Sequence, residues 1–264
     1  MERLPTALRA TPLRLRQALG FGVLAVLAVA ALNARVPIRE MEWQVVSANL
    51  AFFMRGLGTS LALTGTCLVP GLALGVVLGV ARTAGPRPVR LAATGVIELV
   101  RATPQVMVIF WVFFTLPIAT GRSLGPMNAA RVALVLISAA YLAEVVRAGI
   151  GSVPRGQVEA ARSTGLPTLA VMRHVVLPQA MRNMLPAIVA QAVALLKTTS
   201  LVSVIGVMEF FRAASVVNSR EFAPFAIFSF VALVYYVACS ILSALGQYLE
   251  RRVAIPGHAV HAAG

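Results

Sequence analysis

The chain has few charged residues for its size. Only 12% of its 264 residues are Asp, Glu, Lys or Arg, against 59% hydrophobic residues. Mean hydropathy is +0.85. A soluble domain of this length needs a charged surface, so one is excluded, as is a disordered chain. Two cysteines, Cys67 and Cys239, both inside apolar runs and without metal-ligand spacing, leave no disulfide framework or zinc site; they read as packing residues. The chain holds no Gly-rich Lys-Ser/Thr phosphate loop, no His-Glu-x-x-His and no nucleophile elbow. It therefore does not hydrolyse ATP itself. His174 falls in a polar loop and His258 and His261 in the tail, where exposure or packing outweighs metal binding.

What is present is a series of long runs rich in Leu, Val and Ala. Runs near 20 residues cross about 30 Å of hydrocarbon as helix. They are continuous rather than alternating, so the fold is all-α with no β-barrel. About six spans are expected: 18–32, 56–80, 106–119 with a shorter segment 91–100 before it, 129–150, 184–207 and 224–248. The first follows Arg3, Arg9, Arg14 and Arg16. A secretory signal cleaved near Ala34 competes with a retained helix there; Leu32 fits such a cleavage site poorly, which favours retention. Residues 35–53, with Arg39, Glu40, Glu42 and Trp43, suit an interfacial connection. In the second run, Gly58, Gly65, Pro70, Gly71, Gly75 and Gly79 recur at steps that let helices approach closely. Pro104 bends or restarts the third span.

The net charge of +14 is nearly all arginine. In a soluble protein it would suggest nucleic acid; in a membrane protein it sets orientation. With both termini placed in the cytoplasm, fifteen arginines fall inside and seven outside. The polar loop 151–182 is then cytoplasmic.

That loop reads as structured. Val153-Pro154-Arg155-Gly156 ends one helix, residues 157–163 form a short one with Glu159 in its first turn, and Ala160 and Ala161 allow close approach. Gly165 suits the left-handed residue after the helix, Pro167 the start of the next, and Pro178 precedes the return to the membrane. Physics alone leaves two uses open: a loop lying on lipid headgroups, or a docking element for a soluble partner.

Other charges lie within the runs. Lys197, the only lysine, sits mid-span beside Thr198, Thr199 and Ser200, so this stretch lines a translocation path or gate, or Lys197 makes a structural pair with a nearby acid or backbone carbonyl. Gln191 is a weaker pathway candidate. Glu144 and Arg147, and Glu98 and Arg101, share a three-residue spacing that places each pair on one helix face; structural or conformational ion pairs are favoured over substrate contacts. Glu209, Arg212, Arg220 and Glu221 form an outer group that meets a partner or solvent.

The loop resembles the cytoplasmic motif of bacterial ABC-importer permeases: Glu-Ala-Ala, three residues, glycine, nine residues, isoleucine, one residue, Leu-Pro. Here it is Glu159, Ala160, Ala161, Gly165, Val175, Leu177 and Pro178, with Val175 in place of isoleucine. The segments 98–104, 140–150 and 195–201 are similar to the histidine/glutamine/arginine-type branch that carries polar amino acids. Departures are Ala102 for glycine, Val108 for glutamine and Thr198 for aspartate or asparagine. The resemblance covers about residues 55–252, leaving 1–54 as a basic leader, first helix and outer connection and 253–264 as a cytoplasmic tail. It implies a type I importer permease fold, with the motif loop as coupling helices seated on an ABC ATPase subunit. It also implies a second permease, identical or paralogous, an extracytoplasmic binding protein, and ATP and magnesium held by the ATPase rather than by this chain. The location implied is the bacterial inner membrane. Rival readings are a permease for another small polar solute (an opine, a sulfonate or an anion) and a stand-alone channel or scaffold.

Overall fold

The computed structural model describes residues 40–121 and 124–253. The expected first span 18–32, the histidine tail and Arg122 lie outside the described residues. Helix follows helix: α1 (Glu40–Ala48), α2 (Leu50–Ala84), α3 (Arg87–Ala102), α4 (Gln105–Thr120), α5 (Pro126–Gly151), α6 (Arg155–Ser163), α7 (Thr168–Ile205), α8 (Phe210–Glu221) and α9 (Pro224–Val253). Four of them, α2, α5, α7 and α9, are long and apolar enough to cross a membrane. Helices α3 and α4 qualify together, bent by 112°. The bend sits at Thr103-Pro104, where both backbones are extended, as the residue before a proline prefers.

Two other prolines are absorbed without a break. Pro117 and Pro178 each follow a π-helical turn, Trp111–Thr115 and Met172–Val176. A proline inside a helix offers no N–H and its ring crowds the carbonyl four residues back; widening that turn makes room. Pro178 therefore lies within one continuous helix running from Thr168 to Ile205, instead of marking the expected gap between a loop helix and the fifth span. The helix ends in a 3-10 stretch, Thr199–Ile205, before left-handed Gly206.

The centre of the bundle is α2 against α5. Gly71, Gly75 and Gly79 fall on one face of α2, and a Cβ on each would lie 2.7–2.8 Å from Ser138, Leu142 and Ala143 or Val146. In lipid the hydrophobic effect contributes little between helices, so this close backbone approach and its dispersion contacts hold the pair. Gly58 and Gly65 have nothing within 4 Å and are not part of the seam. Gly75→Val should therefore destabilise the detergent-solubilised protein by about 1–3 kcal/mol through overpacking, with a lower thermal midpoint. Gly65→Ala should leave the midpoint unchanged or raise it slightly. Equal midpoints for the two variants would contradict the seam.

Cys67 is buried beside this seam and Cys239 is half-buried; both are free thiols.

Candidate coupling and translocation site

The candidate residues gather at two ends of the bundle. At the α6 end, α5 stops at Gly151, and Pro154 caps a helix that starts at Arg155, two residues earlier than the sequence suggests. Gly156 is accommodated inside it. Glu159 is thus in the second turn, away from the free N–H groups that would favour an acid in the first. Gly165 has φ +82°, the left-handed conformation expected of it.

This segment turns an open face outward. Glu159, Ala160, Gly165, Leu177 and Pro178 are exposed, and Leu169 is 79% exposed beside exposed Leu166 and Met172. Ala161 is half-buried: it packs inward with Val158 against Val153, Val171 and Val176. Polar bonds join the segment to α7: Gln179 donates to Gln157, and Asn183 Nδ2 donates to Ser152 Oγ at 2.8 Å. His174 is exposed, its Nδ1 3.0 Å from the Ala170 carbonyl.

Next to this segment the two predicted ion pairs merge into one cluster. Arg82, on α2, is the residue sequence reasoning missed. It donates to Glu98 at 2.9 Å and to Glu144 at 3.1 Å. Arg101 lies 3.7 Å from both carboxylates, and Arg147 Nε donates to Glu144 at 2.8 Å. Three helices, α2, α3 and α5, are tied by two carboxylates and three guanidiniums. The i,i+3 pairs were legible from spacing; their union required knowing that α3 crosses the end of α2. Half-exposed pairs of this kind contribute modestly one by one, and more as a network.

The cluster forms one wall of a cavity of about 450 Å³ lined by Arg101, Tyr141, Glu144, Asn183, Met184 and Gln191. The Arg101 guanidinium stacks 5.8 Å from the Tyr141 ring, and its buried Nε has no hydrogen-bond partner. Of the polar stretch beyond, Thr198 is buried and donates to Gln105 Oε1 of α4 and to the Ala194 carbonyl, both at 3.0 Å. Thr199 is fully buried on the Leu196 carbonyl, and Ser200 bonds the Lys197 carbonyl. Lys197 is exposed on the flank of α7, and no carboxylate pairs with it among the described residues.

At the α8 end the sequence reading needs correction. Arg212, Arg220 and Glu221 are exposed as expected, but Glu209 is fully buried and meets neither solvent nor partner. It caps α8: Oε2 accepts from the Phe211 N–H at 2.8 Å and Oε1 from the Arg212 N–H at 2.7 Å. The hydroxyls of Ser60 and Tyr235 lie 3.3 and 3.4 Å from Oε2. Burial pushes its carboxyl up to about 7, against the opposing pull of those hydrogen bonds. The legible signal was a glutamate directly before a helix, the N-cap position.

Comparison with known proteins agrees with this architecture. Residues 71–255 match the family model described as the binding-protein-dependent transport system inner membrane component. The chain is 35% identical over 222 residues to the glutamate/aspartate import permease protein GltK of Escherichia coli O6:H1, covering 81% of this chain and 99% of that one. It is 33% identical to the arginine transport system permease protein ArtQ of Bacillus subtilis, covering 81% and 98%. Among solved structures, an amino acid ABC transporter crystallised with histidines superposes with a TM-score of 0.75 at 32% identity, over 80% of this chain and 98% of that one. The methionine ABC transporter MetNI, in an inward-facing form, shares the fold at a TM-score of 0.63 and 21% identity, over 78% and 98%. Matched along most of its length by transport-system permeases, the bundle is a transport subunit rather than an enzyme: this chain belongs to the inner-membrane permease family of binding-protein-dependent ABC importers.

Proposed function

We propose that this chain forms half of the path for a polar amino acid, and that motion of a partner ATPase reaches the path through α7. The observation that carries the reading is the continuity of α7. One unbroken helix of 38 residues, about 57 Å at 1.5 Å per residue, bears three things in order. Leu169, Leu177 and Pro178 lie on the open face beside Glu159, Ala160 and Gly165, with Ala161 packed beneath it. Asn183, Met184 and Gln191 line the cavity. Lys197 lies beyond them. A push on the first displaces the second.

The cavity suits a zwitterion. Arg101 offers its guanidinium charge to a carboxylate, Glu144 an acceptor to an ammonium group, and Tyr141 and Gln191 neutral polar contacts. The ion cluster of Glu98, Arg101, Glu144 and Arg147, with Arg82, ties three helices at that wall, so cavity shape and cluster geometry change together. Thr198, Thr199 and Ser200 fix the 3-10 turn that follows Lys197. Relatives named for glutamate/aspartate and for arginine support an amino acid as solute.

In this reading the α6 end is cytoplasmic, as the arginine distribution supports, and both termini lie on that side. ATP and magnesium belong to the ATPase. A second permease completes the path, because one cavity open along its flank does not enclose a solute. A binding protein delivers the solute at the α8 end. The permease core spans about residues 55–252.

Uptake into proteoliposomes by the complete complex, challenged with a panel of competitors, tests the solute class. Inhibition by polar amino acids and none by sulfonates or inorganic anions is the expected result. Inhibition by a sulfonate or anion in preference to every amino acid would overturn it, and flux without ATP would favour a channel.

A further inference from the structure

The α8 helix is a separable piece. It is bounded by two left-handed residues, Gly206 at φ +87° and Phe222 at φ +48°. A bulky residue in that conformation is uncommon and is held by its surroundings, yet the Phe222 side chain is 85% exposed. Between these two points α8 is pressed hard onto α2. A Cβ at Gly56 would lie 3.0 Å from the Glu209 carbonyl, the Phe210 Cα and the Ala213 Cβ. Phe210, Ala213, Ala214 and Val217 complete a core with Phe53 of α2 and Ile227 of α9.

At the point where α8, α2 and α9 meet lies a carboxyl group that the transport path does not use. Glu209 touches backbone N–H groups of α8, the Ser60 hydroxyl of α2 and the Tyr235 hydroxyl of α9. Thr199, at the start of the 3-10 stretch of α7, faces Tyr235 from the remaining side. No cation balances Glu209: it is in none of the ion pairs among the described residues, and Arg55 of α2 and Arg212 of α8 are exposed. Among the described residues Tyr235 is the one other titratable group facing it. Ser60 and Tyr235 are hydroxyls that donate or accept, so the cradle holds either protonation form. The two backbone N–H groups stay fixed while one hydroxyl turns from donor to the carboxylate into acceptor of the acid's proton. Ser60 Oγ also accepts from the Phe210 N–H at 3.2 Å, which ties the cradle to the first residue of α8.

We propose that Glu209 is a proton-operated latch: as a neutral carboxylic acid it holds α8 against α2 and α9, and it gives its proton to water when α8 lifts. The proton leaves Oε2 for solvent on opening and returns from solvent on closing, with no other reactant. This inference rests on the importer reading for its consequence in transport, though not for the protonation itself. Burial raises the carboxyl in the seated form above its ordinary 4.5, to about 7. The seated form therefore binds the extra proton. Acid favours seating, the advantage fades as pH rises from about 4.5 to about 7, and above that the carboxylate favours release. Opening of the α8 end, and with it uptake, should rise across this window.

The test uses the complete transporter in proteoliposomes. Infrared difference spectra from about pH 5 to about pH 8 should show a carboxylic-acid C=O band that disappears near neutrality and is missing in Glu209→Gln. Glutamine mimics the neutral acid, so Glu209→Gln should still take up solute, with a flat pH profile where the wild type changes by about threefold or more. Ser60→Ala removes a hydroxyl that steadies the carboxylate and should move the band's titration to higher pH. A Glu209 that is a carboxylate throughout, or a Glu209→Gln profile that follows the wild type, would overturn the latch. A titrating band in a complex that takes up nothing would support the latch and contradict the importer reading alone.

Discussion

Gly165→Asp is expected to cut ATP-driven uptake by about 10- to 100-fold, equivalent to about 1.4–2.8 kcal/mol of lost docking, with membrane insertion intact. Gly165 joins α6 to α7 in the left-handed region at φ +82°, and a side chain there would meet nothing within 4 Å in this chain. Two costs remain. One is backbone strain, which Asn and Asp tolerate better than other residues. The other is a charge at the centre of the proposed docking face. Gly165→Asn separates them, since it carries the same shape without the charge. Recovery of the ATPase subunit with the tagged chain, and uptake, should both rank wild type, then Asn, then Asp. If Asp copurified the ATPase and transported as the wild type does, the coupling role of this turn would be wrong.

Lys197→Ala is expected to lower uptake by about tenfold or more while the chain inserts at least as well as before. A lysine at the centre of a span costs about 2.5–3.5 kcal/mol on insertion scales. Here that cost is not offset by an internal ion pair among the described residues, and the side chain reaches the surface of this chain. Removing it should ease insertion, so a loss of transport cannot be attributed to failed assembly. In the proposed importer such a group would face the wet path shared with a second permease. Lys197→Arg keeps the charge but changes its reach and geometry, and should retain part of the uptake. Kinetics and selectivity unchanged in Lys197→Ala would show that the ammonium merely snorkels toward an interface.

Most of the architecture was legible because the bilayer imposes it. Apolar length gave the spans α2, α5 and α9 within six residues at each end, and the far end of α7, whose start at Thr168 lies sixteen residues before the expected 184 because a π-turn carries the helix past Pro178. Arginine placement gave an orientation. The motif around Glu159 and Gly165 was readable because short helices advertise their ends: Pro167 at the start of the second, glycine in the left-handed position after the first. Pro154 was read only as ending the preceding helix, and it also opens the next at Arg155. What escaped was everything that depends on crossing geometry. Arg82 counts as one more inner arginine until α3 is seen to lie across the end of α2 and bring Glu98 to it. Gly71, Gly75 and Gly79 look no different in sequence from Gly58 and Gly65, yet only the first three face α5. Glu209 was read as a surface charge because burial of a lone carboxylate is rare; it is accommodated here by three kinds of hydrogen-bond donor on three helices. Pro178 was read as a boundary, whereas a π-turn carries the helix past it.

The most direct test of the account is mass spectrometry of what copurifies with the tagged full-length chain, gently extracted from its own membrane. The account predicts an ABC ATPase subunit in stable ratio, together with a second permease or a second copy of this chain, and loss of the ATPase in Gly165→Asp. Absence of any ATPase, under conditions that keep a known importer of this family whole, would contradict it.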